Sequence, residues 1–465
     1  MRSIQLIIFA FLISFSLSAQ KITGDWYGEL GSGENRMQFV FHIEETEAGL
    51  SATMDIPRRN LKGIKTQKTT FENSELHIDG KNFGFEYKGT FNADSAALLG
   101  KFIEGVNEVP LNLNRDKLVA PKAKKRPQEP SKPYPYREEE VVFTNEKDEI
   151  TLAGTLTLPM GNGKFPVAIL ITGSGPQNRD EEIFGHKPFL VLADHLTSLG
   201  IAVLRYDDRG VNQSTGNFAE ATTADFATDV ESAITYLKTR KDIDKKQIGL
   251  VGHSEGGIIA PIVAVNTKDV AFMVLLAGTG VSGYETSQIQ ATTLRGFSVP
   301  DEEAYNKFIT DALDIASEDK DVALVREELT AFYNKSPFFN AMAGDGPQRE
   351  QVLKGLVETR TNKWIRYFYN YNPADMLVKV KCPVLSINGT KDQQVVASVN
   401  QDGIRSALKK GKNKDFQVIA LEGMNHFFQE AETGAMNEYA DIEETFSPKA
   451  LKIVSDWILE RVKLK

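Results

Sequence analysis

The chain has 465 residues, more than one domain usually holds, so the sequence predicts two folded units with accessory segments. Its 41% hydrophobic and 25% charged residues are typical of a globular protein, and a net charge of −9 gives no basis for a nucleic-acid partner. Cys382 is the only cysteine, which excludes a disulfide within the chain.

Residues 1–19 have the features of a secretory signal peptide. Arg2 gives a positive start, an apolar run extends from Ile4 to Phe15, and small residues follow as far as Ala19. A membrane anchor is the alternative, but the run is shorter than the roughly 20 apolar residues that span a bilayer. We therefore expect this segment to be removed, no stable membrane span to remain, and the mature protein to be periplasmic or extracellular.

Residues 20–115 show the period-two alternation of β-strands. Runs rich in aromatic and β-branched residues, separated by Gly, Asn and Asp, predict a small antiparallel β-sandwich or barrel; they are MQFVFHIEE, GLSATMDIP, SELHIDG, FGFEYKGTFN, ALLGKFIEG and VPLNLNR. Trp26 is predicted to fill one end of the core. His42 and His77 lack metal-ligand spacing and are interpreted as structural or surface residues. The pattern identifies neither a catalytic set nor a ligand for this domain.

Residues 116–137 carry repeated prolines and a basic cluster in the run DKLVAPKAKKRPQEPSKPYPYR. This composition predicts an extended linker. Binding of the basic cluster to nucleic acid or to a membrane is the alternative to a solvated spacer.

Residues 138–465 begin with β material and then alternate strands with helices. The strands VAILIT, IAVLRYD, IGLVGHS and VAFMVLLAG, with helical segments between them, predict a mostly parallel sheet covered by helices on both faces. The alternation stops at about Val281, and residues 282–372 are predicted to form a helical cap. The strands CPVLSING and DFQVIALEG and a closing helix then complete the domain.

Ligands of open α/β sheets bind beyond the carboxyl ends of the strands, so the residues directly after each strand are candidates. The sequence Gly252-His253-Ser254-Glu255-Gly256 matches G-x-S-x-G between a predicted strand and a predicted helix. Its small residues permit the sharp turn that presents a serine oxygen above the sheet. This context predicts Ser254 as a nucleophile in preference to a purely structural turn.

Asp392 and His426 also follow predicted strands, in VLSINGTKDQQVV and LEGMNHFF. A serine hydroxyl becomes a good nucleophile when a histidine takes its proton, and a buried carboxylate orients that histidine. The chain order Ser, Asp, His is that of α/β-hydrolases. A helix cap at Asp392 and a core position for His426 are the alternatives. His253, inside the turn beside the serine, is interpreted as a packed neighbour.

The glycine-rich run Thr172-Gly173-Ser174-Gly175-Pro176 follows the first buried strand. Acyl transfer places negative charge on the carbonyl oxygen, and fixed backbone N–H groups stabilise that charge. We expect the N–H of Glu255 to be one donor and the N–H of Ser174 or Gly175 to be the other. A phosphate cradle is the alternative, but the Lys-Ser/Thr of a phosphate-binding loop does not follow.

Together, GHSEGG, ITGSGPQNRDE, LRYDDRGV and the Asp392 and His426 segments resemble the α/β-hydrolase superfamily, and within it bacterial carboxylesterases and serine aminopeptidase-like hydrolases. The resemblance covers residues 140–465. It implies an α/β-hydrolase domain with Ser254 as nucleophile, Asp392 as acid and His426 as base, preceded by the β-domain. Many members have His-Gly where this chain has Thr172-Gly173. The turn at Arg209 is interpreted as structural, with Arg209 paired to Asp180 or Glu181.

These observations favour hydrolysis of a small carboxylic ester with a short acyl group, through an acyl-enzyme, with no metal or organic cofactor. A serine peptidase of the aminopeptidase type is an alternative, because the same triad cleaves amides. Such an enzyme needs a carboxylate for the substrate amine, and Glu302, Glu303 and Glu358 of the cap are candidates. A binding protein whose β-domain recognises glycan, lipid or cell-wall material is the second alternative.

Overall fold

The computed structural model describes residues 22–30, 37–56, 61–80, 85–93, 95–104, 107–116, 126–295, 299–343 and 349–464. The predicted signal peptide, residues 1–19, lies outside the described residues. The chain divides into two compact units, one of residues 1–123 and 339–354, the other of residues 124–338 and 355–465. Within the described ranges, no helix combines the length and the apolar character that crossing a membrane requires.

The first unit contains a ten-stranded sheet in which every pairing is antiparallel. Its strands are β1 (Gly24–Leu30), β2 (Met37–Thr46), β3 (Gly49–Ile56), β4 (Leu61–Lys65), β5 (Lys68–Glu72), β6 (Glu75–Gly80), β7 (Phe85–Asn92), β8 (Ala97–Glu104), β9 (Asn107–Pro110) and β10 (Leu113–Asn114). Their order is β4-β3-β2-β1-β10-β8-β7-β6-β5, with β9 beside β8. Since the two ends of this order, β4 and β5, are joined by only Thr66 and Gln67, the sheet is curled, although among the described residues β4 and β5 are not paired with each other.

Alternate residues of these strands point into one apolar core, as the period-two pattern predicts. Trp26, Phe41 and Tyr87 are fully buried there, and the indole N–H of Trp26 donates to Ile22 O at 2.7 Å. The six predicted runs all contain strands. The short strands β4 and β5 were not predicted, because LKGIK and KTTFE mix three lysines with few apolar residues.

His42 and His77 lie on the outer side of this sheet. His42 contacts the carboxylates of Asp25 and Asp55, and His77 contacts Glu86. These contacts agree with the structural or surface role predicted for both histidines.

The second unit is built on an eight-stranded sheet of β11 (Arg137–Asn145), β12 (Ile150–Leu158), β13 (Phe165–Ile171), β14 (Ala202–Tyr206), β15 (Ile243–His253), β16 (Val270–Leu276), β17 (Val384–Gly389) and β18 (Phe416–Leu421). The order is β11-β12-β14-β13-β15-β16-β17-β18. The pairings β11–β12 and β12–β14 are antiparallel, and the other five pairings of the sheet are parallel. This mixed sheet confirms the predicted α/β-hydrolase architecture.

Helices cover both faces of the sheet. Helix α1 (Pro188–Ser198) connects β13 to β14, a step across the sheet toward β12. The next two crossovers, which contain α2 (Thr223–Thr239) and α3 (Gly256–Asn266), step in the opposite direction, toward β16. Because parallel crossovers are right-handed, α1 lies on one face and α2 and α3 lie on the other. The closing helix, Pro448–Leu459, packs with α1 in a core that contains Phe189, Phe272 and Trp457.

The segment between β16 and β17 is helical, as predicted for the cap. It contains α4 (Gly283–Thr293), α5 (Glu302–Ser317), α6 (Val322–Lys335), α7 (Pro337–Ala343), α8 (Arg349–Thr361), α9 (Lys363–Asn370) and α10 (Ala374–Leu377). Helix α11 (Ala397–Lys410) follows β17, and the closing helix is α12. Within the predicted linker, Arg126 donates hydrogen bonds to the carbonyls of Gly185 and Ala440, so this part of the linker belongs to the second unit.

Candidate active site

Ser254 occupies a strained turn between β15 and α3. Its φ angle is 52°, in the left-handed region that non-glycine residues avoid. A side chain at Gly252 would collide with the carbonyl oxygen of Gly256, and one at Gly256 would collide with that of Ile171. The glycines therefore let the strand, the turn and the helix approach closely enough to present the Ser254 side chain at the carboxyl end of the sheet.

Asp392 and His426 form a buried hydrogen-bonded pair. Nδ1 of His426 lies 2.7 Å from Asp392 Oδ2, and the two residues are 3% and 4% exposed. The other carboxylate oxygen accepts the N–H groups of Gln394 and Val395, each at 2.8 Å. Since an ionised carboxylate only accepts, the ring proton lies on Nδ1 and leaves Nε2 of His426 free to act as a base.

Ser254 and His426 line one cavity of about 270 Å³. The glycine-rich run of residues 172–176, called the oxyanion loop below, contributes Ser174 to its wall, and the cap contributes Trp364 and Phe368. The loops after β13, β15, β17 and β18 thus bring together residues that lie more than 250 positions apart in the sequence. A cavity of this size holds a small organic group.

The predicted oxyanion loop lies directly against the serine turn. A Cβ at Gly173 would stand 3.2 Å from Ser254 Cβ. Asp208 holds the loop by accepting the Thr172 hydroxyl at 2.7 Å and the Gln177 N–H at 2.9 Å. In the described part of the chain, the N–H groups of Glu255 and Ser174 donate to no protein acceptor, which leaves both available to a substrate oxygen. Ser174 lines the cavity and Gly175 does not, which favours Ser174 as the second donor.

His253 is enclosed between two acceptors. Its Nδ1 lies 2.9 Å from Glu181 Oε1, its Nε2 lies 3.0 Å from the carbonyl oxygen of His426, and it is 4% exposed. Burial alone would lower the pKa of His253, but the Glu181 carboxylate raises it above its usual value. The histidine next to the nucleophile is thus a packed neighbour, as predicted, with a carboxylate partner that the sequence did not reveal.

The predicted partners of Arg209 are wrong. Arg209 Nε donates to Asp229 Oδ2 at 2.8 Å, and its Nη2 donates to Asp148 Oδ2 at the same distance. Asp180 is instead paired with Arg205, and Glu181 with His253. The guanidinium of Arg209 points toward helix α2, which carries Asp229. The direction of this side chain cannot be read from the positions of Asp180 and Glu181 in the sequence.

Glu255 has a buried side chain that joins the cap to the serine turn. Its Oε1 accepts the hydroxyl of Thr223 and the indole N–H of Trp364, each at 2.7 Å. Burial raises the pKa of Glu255 above its usual value, while Trp364, Thr223 and Ser174 oppose this rise through hydrogen bonds. Trp364 was not identified from the sequence, because an amphipathic pattern does not show which cap residues reach the cavity.

The cap carboxylates proposed to bind a substrate amine lie elsewhere. Glu302, Glu303 and Glu358 are exposed, and none of them lines the cavity. Glu302 pairs with Arg295 at 2.7 Å. The described residues contain no cluster of three or more His, Cys, Asp or Glu side chains arranged to hold a metal ion.

The order of the sheet and the serine turn define the class, a serine hydrolase with the α/β-hydrolase fold. The chain belongs to the X-Pro dipeptidyl-peptidase (S15) family, whose model matches residues 134–402, more than half of the chain.

Among curated proteins, the chain is similar to esterase EstD of Thermotoga maritima, with 26% identity over 287 residues. That match spans 60% of each chain. An uncharacterised 31.7 kDa protein of Escherichia coli, from the traX-finO intergenic region, is 25% identical over 321 residues, or 68% of this chain and 98% of its own length.

The solved structures to which the chain is similar include Est1E of Butyrivibrio proteoclasticus bound to ferulic acid. It has 18% identity and a TM-score of 0.41, and the match covers 69% of this chain and 98% of that one. The α/β-hydrolase GrgF of a Penicillium species has 17% identity and a TM-score of 0.45, covering 70% of this chain and 99% of that one.

Proposed function

We propose that this protein hydrolyses small carboxylic esters with a short acyl group through an acyl-enzyme on Ser254. The observation that carries the proposal is the buried Asp392–His426 hydrogen bond of 2.7 Å, beside the cavity that Ser254 lines. The described residues that line the cavity include no lysine or arginine, and a volume of about 270 Å³ suits an uncharged group of few carbon atoms.

In the acylation step, the Ser254 hydroxyl oxygen attacks the ester carbonyl carbon while Nε2 of His426 takes the hydroxyl proton. Asp392 stabilises the imidazolium that forms. The N–H groups of Glu255 and Ser174 donate to the carbonyl oxygen as it becomes negative, and each such donor contributes about 3–4 kcal/mol to transition-state stability. His426 then returns the proton to the alcohol oxygen, and the carbon–oxygen bond to the alcohol breaks.

In the deacylation step, water replaces the alcohol. Nε2 of His426 takes a proton from that water, and the hydroxide attacks the acyl carbon. The tetrahedral intermediate uses the same N–H donors. The bond to Ser254 breaks, the proton passes to its oxygen, and the carboxylic acid leaves.

Peptide cleavage is the second candidate, and the family match supports it. Recognition of a substrate N-terminus requires an accessible carboxylate. The two acids that line the cavity, Glu181 and Glu255, are 2% and 3% exposed and are engaged by protein donors. This arrangement supports the ester over the peptide.

The proposal is tested with the Ser254→Ala variant on p-nitrophenyl acetate. We expect kcat to fall by at least about 10³-fold, because the nucleophile is lost. Ser455→Ala, at a buried serine of α12, is the matched control and should keep the wild-type rate. Hydrolysis by Ser254→Ala at the wild-type rate would overturn the role of this serine. A higher kcat/KM on alanyl-prolyl p-nitroanilide than on p-nitrophenyl butyrate would show that the substrate class is peptides and not esters.

We also propose that the protein is exported after removal of residues 1–19, on the basis of the signal-like sequence alone. Amino-terminal sequencing of the protein from a periplasmic or culture fraction tests this. A mature protein that still begins at Met1 would contradict the proposal.

A further inference from the structure

A second carboxylate–imidazole pair, Glu181 and His253, lies beside the pair formed by Asp392 and His426. The ring centroids of His253 and His426 are 4.7 Å apart. Glu181 is 2% exposed, and its φ angle of 51° is in the left-handed region. A non-glycine residue held there costs on the order of 1–3 kcal/mol, so the surrounding contacts must hold Glu181 in place.

The contacts of His253 determine its protonation. Nε2 faces the carbonyl oxygen of His426 at 3.0 Å, and a carbonyl only accepts, so Nε2 carries a proton. Nδ1 faces Glu181 Oε1 at 2.9 Å, and the same oxygen accepts the N–H of Gly173 at 2.8 Å. With Glu181 ionised, both ring nitrogens donate, and His253 is an imidazolium whose charge Glu181 balances.

These contacts connect three separate parts of the site. Gly173 belongs to the oxyanion loop after β13, His253 precedes the nucleophile, and the carbonyl of His426 belongs to the loop after β18. The titratable groups that face His253 are Glu181, Asp392 and His426, and Glu181 also helps to raise the pKa of Asp208, whose main cause is burial. A displacement of about 1 Å in such a site lowers the rate by about 10²-fold.

We propose that Glu181 and His253 are positioning residues, which fix the oxyanion loop and the loop of His426 relative to Ser254 while keeping the net charge beside His426 at zero. This role rests on the proposed function of Ser254 and His426. Neither residue is assigned a contact with the reacting atoms.

Replacement of the two residues separates charge from geometry. His253→Gln keeps a donor toward the His426 carbonyl but leaves Glu181 as a buried anion without its cation. An anion close to His426 favours protonation of its ring, and a protonated ring cannot act as a base. The acid limb of the pH profile of Ser254 labelling should therefore move to higher pH. Glu181→Gln keeps an acceptor for Gly173, and the double variant carries neither charge.

The experiment measures how fast a fluorophosphonate labels Ser254 as a function of pH, for the wild type, both single variants and the double variant. This readout depends on Ser254 and His426 and not on the natural substrate. We expect about 10- to 100-fold slower labelling in His253→Gln, an acid limb at higher pH, and a return of that limb toward the wild type in the double variant. His195→Gln, at a partly buried histidine of α1, should leave the profile unchanged.

A labelling rate and pH profile equal to the wild type in folded His253→Gln would overturn the positioning role. If the fold-losses in labelling rate of the two single variants multiply in the double variant, the two residues act independently. That result would also overturn the proposal. If His253→Gln fails to fold, Glu181→Gln decides alone, and a wild-type rate in that variant overturns the proposal. Failure of the ester function shows separately, as wild-type enzyme that labels at Ser254 but does not turn over p-nitrophenyl esters.

Discussion

Trp364 of the cap donates its indole N–H to the carboxylate of Glu255, the residue next to Ser254, over a distance of 2.7 Å. The cap and the serine turn are therefore joined by a hydrogen bond inside the cavity. Because Thr223 of α2 donates to the same oxygen, one carboxylate connects the cap, the sheet and a covering helix.

Replacement of Trp364 by phenylalanine should weaken this connection. An aromatic ring remains, but Glu255 loses one donor, and the loss of a partner costs a buried acceptor about 1–3 kcal/mol. We expect a lower unfolding temperature and a higher KM for p-nitrophenyl butyrate, since the cap wall is no longer fixed. Trp457→Phe, on α12, changes the same kind of side chain outside the cavity and should leave KM unchanged. An unaltered KM in Trp364→Phe would show that the cap is held by other contacts.

The Glu255→Gln variant should be more stable than the wild type at high pH. Burial raises the pKa of Glu255 in the folded state above its ordinary value of 4.5, so the folded protein binds this proton more tightly than the unfolded chain does. Ionisation of Glu255 therefore costs stability as the pH rises. We expect the unfolding temperature of Glu255→Gln to exceed that of the wild type at about pH 8, with a difference that disappears below about pH 4.5.

In the same variant, kcat should stay within about threefold of the wild type, because the proposed oxyanion donor is the backbone N–H and not the carboxylate. A loss of kcat comparable to that of Ser254→Ala would instead place the Glu255 carboxylate in the reaction. The comparison uses p-nitrophenyl acetate at a pH where both proteins are folded.

Asp392→Asn should lower kcat by about 10⁴-fold with little change in KM, because an amide no longer fixes the proton on Nδ1 of His426. The size of the side chain is unchanged, so substrate binding is retained. Asp415→Asn, at a partly buried aspartate paired with Arg461 outside the cavity, is the control. A kcat close to that of the wild type in Asp392→Asn would remove this residue from the triad.

Gly256→Ala should abolish activity and destabilise the protein, because its methyl group would collide with the carbonyl oxygen of Ile171. Overpacking of this kind costs about 1–3 kcal/mol or more. Gly163→Ala is the matched control, since no atom lies within 4 Å of a Cβ at that position. Thermal unfolding and the rate with p-nitrophenyl acetate check both variants, and a fully active Gly256→Ala would contradict the close packing described for the turn.

Removal of residues 20–115 should leave kcat on soluble esters within about threefold of the wild type, because every residue that lines the cavity belongs to the second unit. Retained activity would leave the β-domain with a binding or tethering role. A complete loss of activity in a folded truncated protein would show that the β-domain supports catalysis.

The parts of the site that the sequence predicted are those with a local signal. Ser254, Asp392 and His426 each directly follow a strand, and parallel strands necessarily bring such residues to one edge of the sheet. The parts that were missed depend on the direction of a side chain. Nothing local distinguishes Trp364 from the exposed residues of the cap, and Arg209 has several acids within reach along the sequence. The strands β4 and β5 were missed for a related reason, because pairing within the sheet compensates for their weak apolar alternation.

The curled sheet of the first unit has a consequence for association between chains. An open sheet presents a row of unpaired N–H and C=O groups at each edge, and such rows recruit strands from other molecules. Here only Thr66 and Gln67 separate the two edge strands β4 and β5 along the chain. The N–H of Thr66 donates to Ala52 O of β3, and the N–H of Gln67 donates to Asp79 O of β6, so both link residues extend the existing pairings. Because β4 and β5 follow each other so closely, we expect the link to hinder a strand of another copy from adding to the sheet at this point.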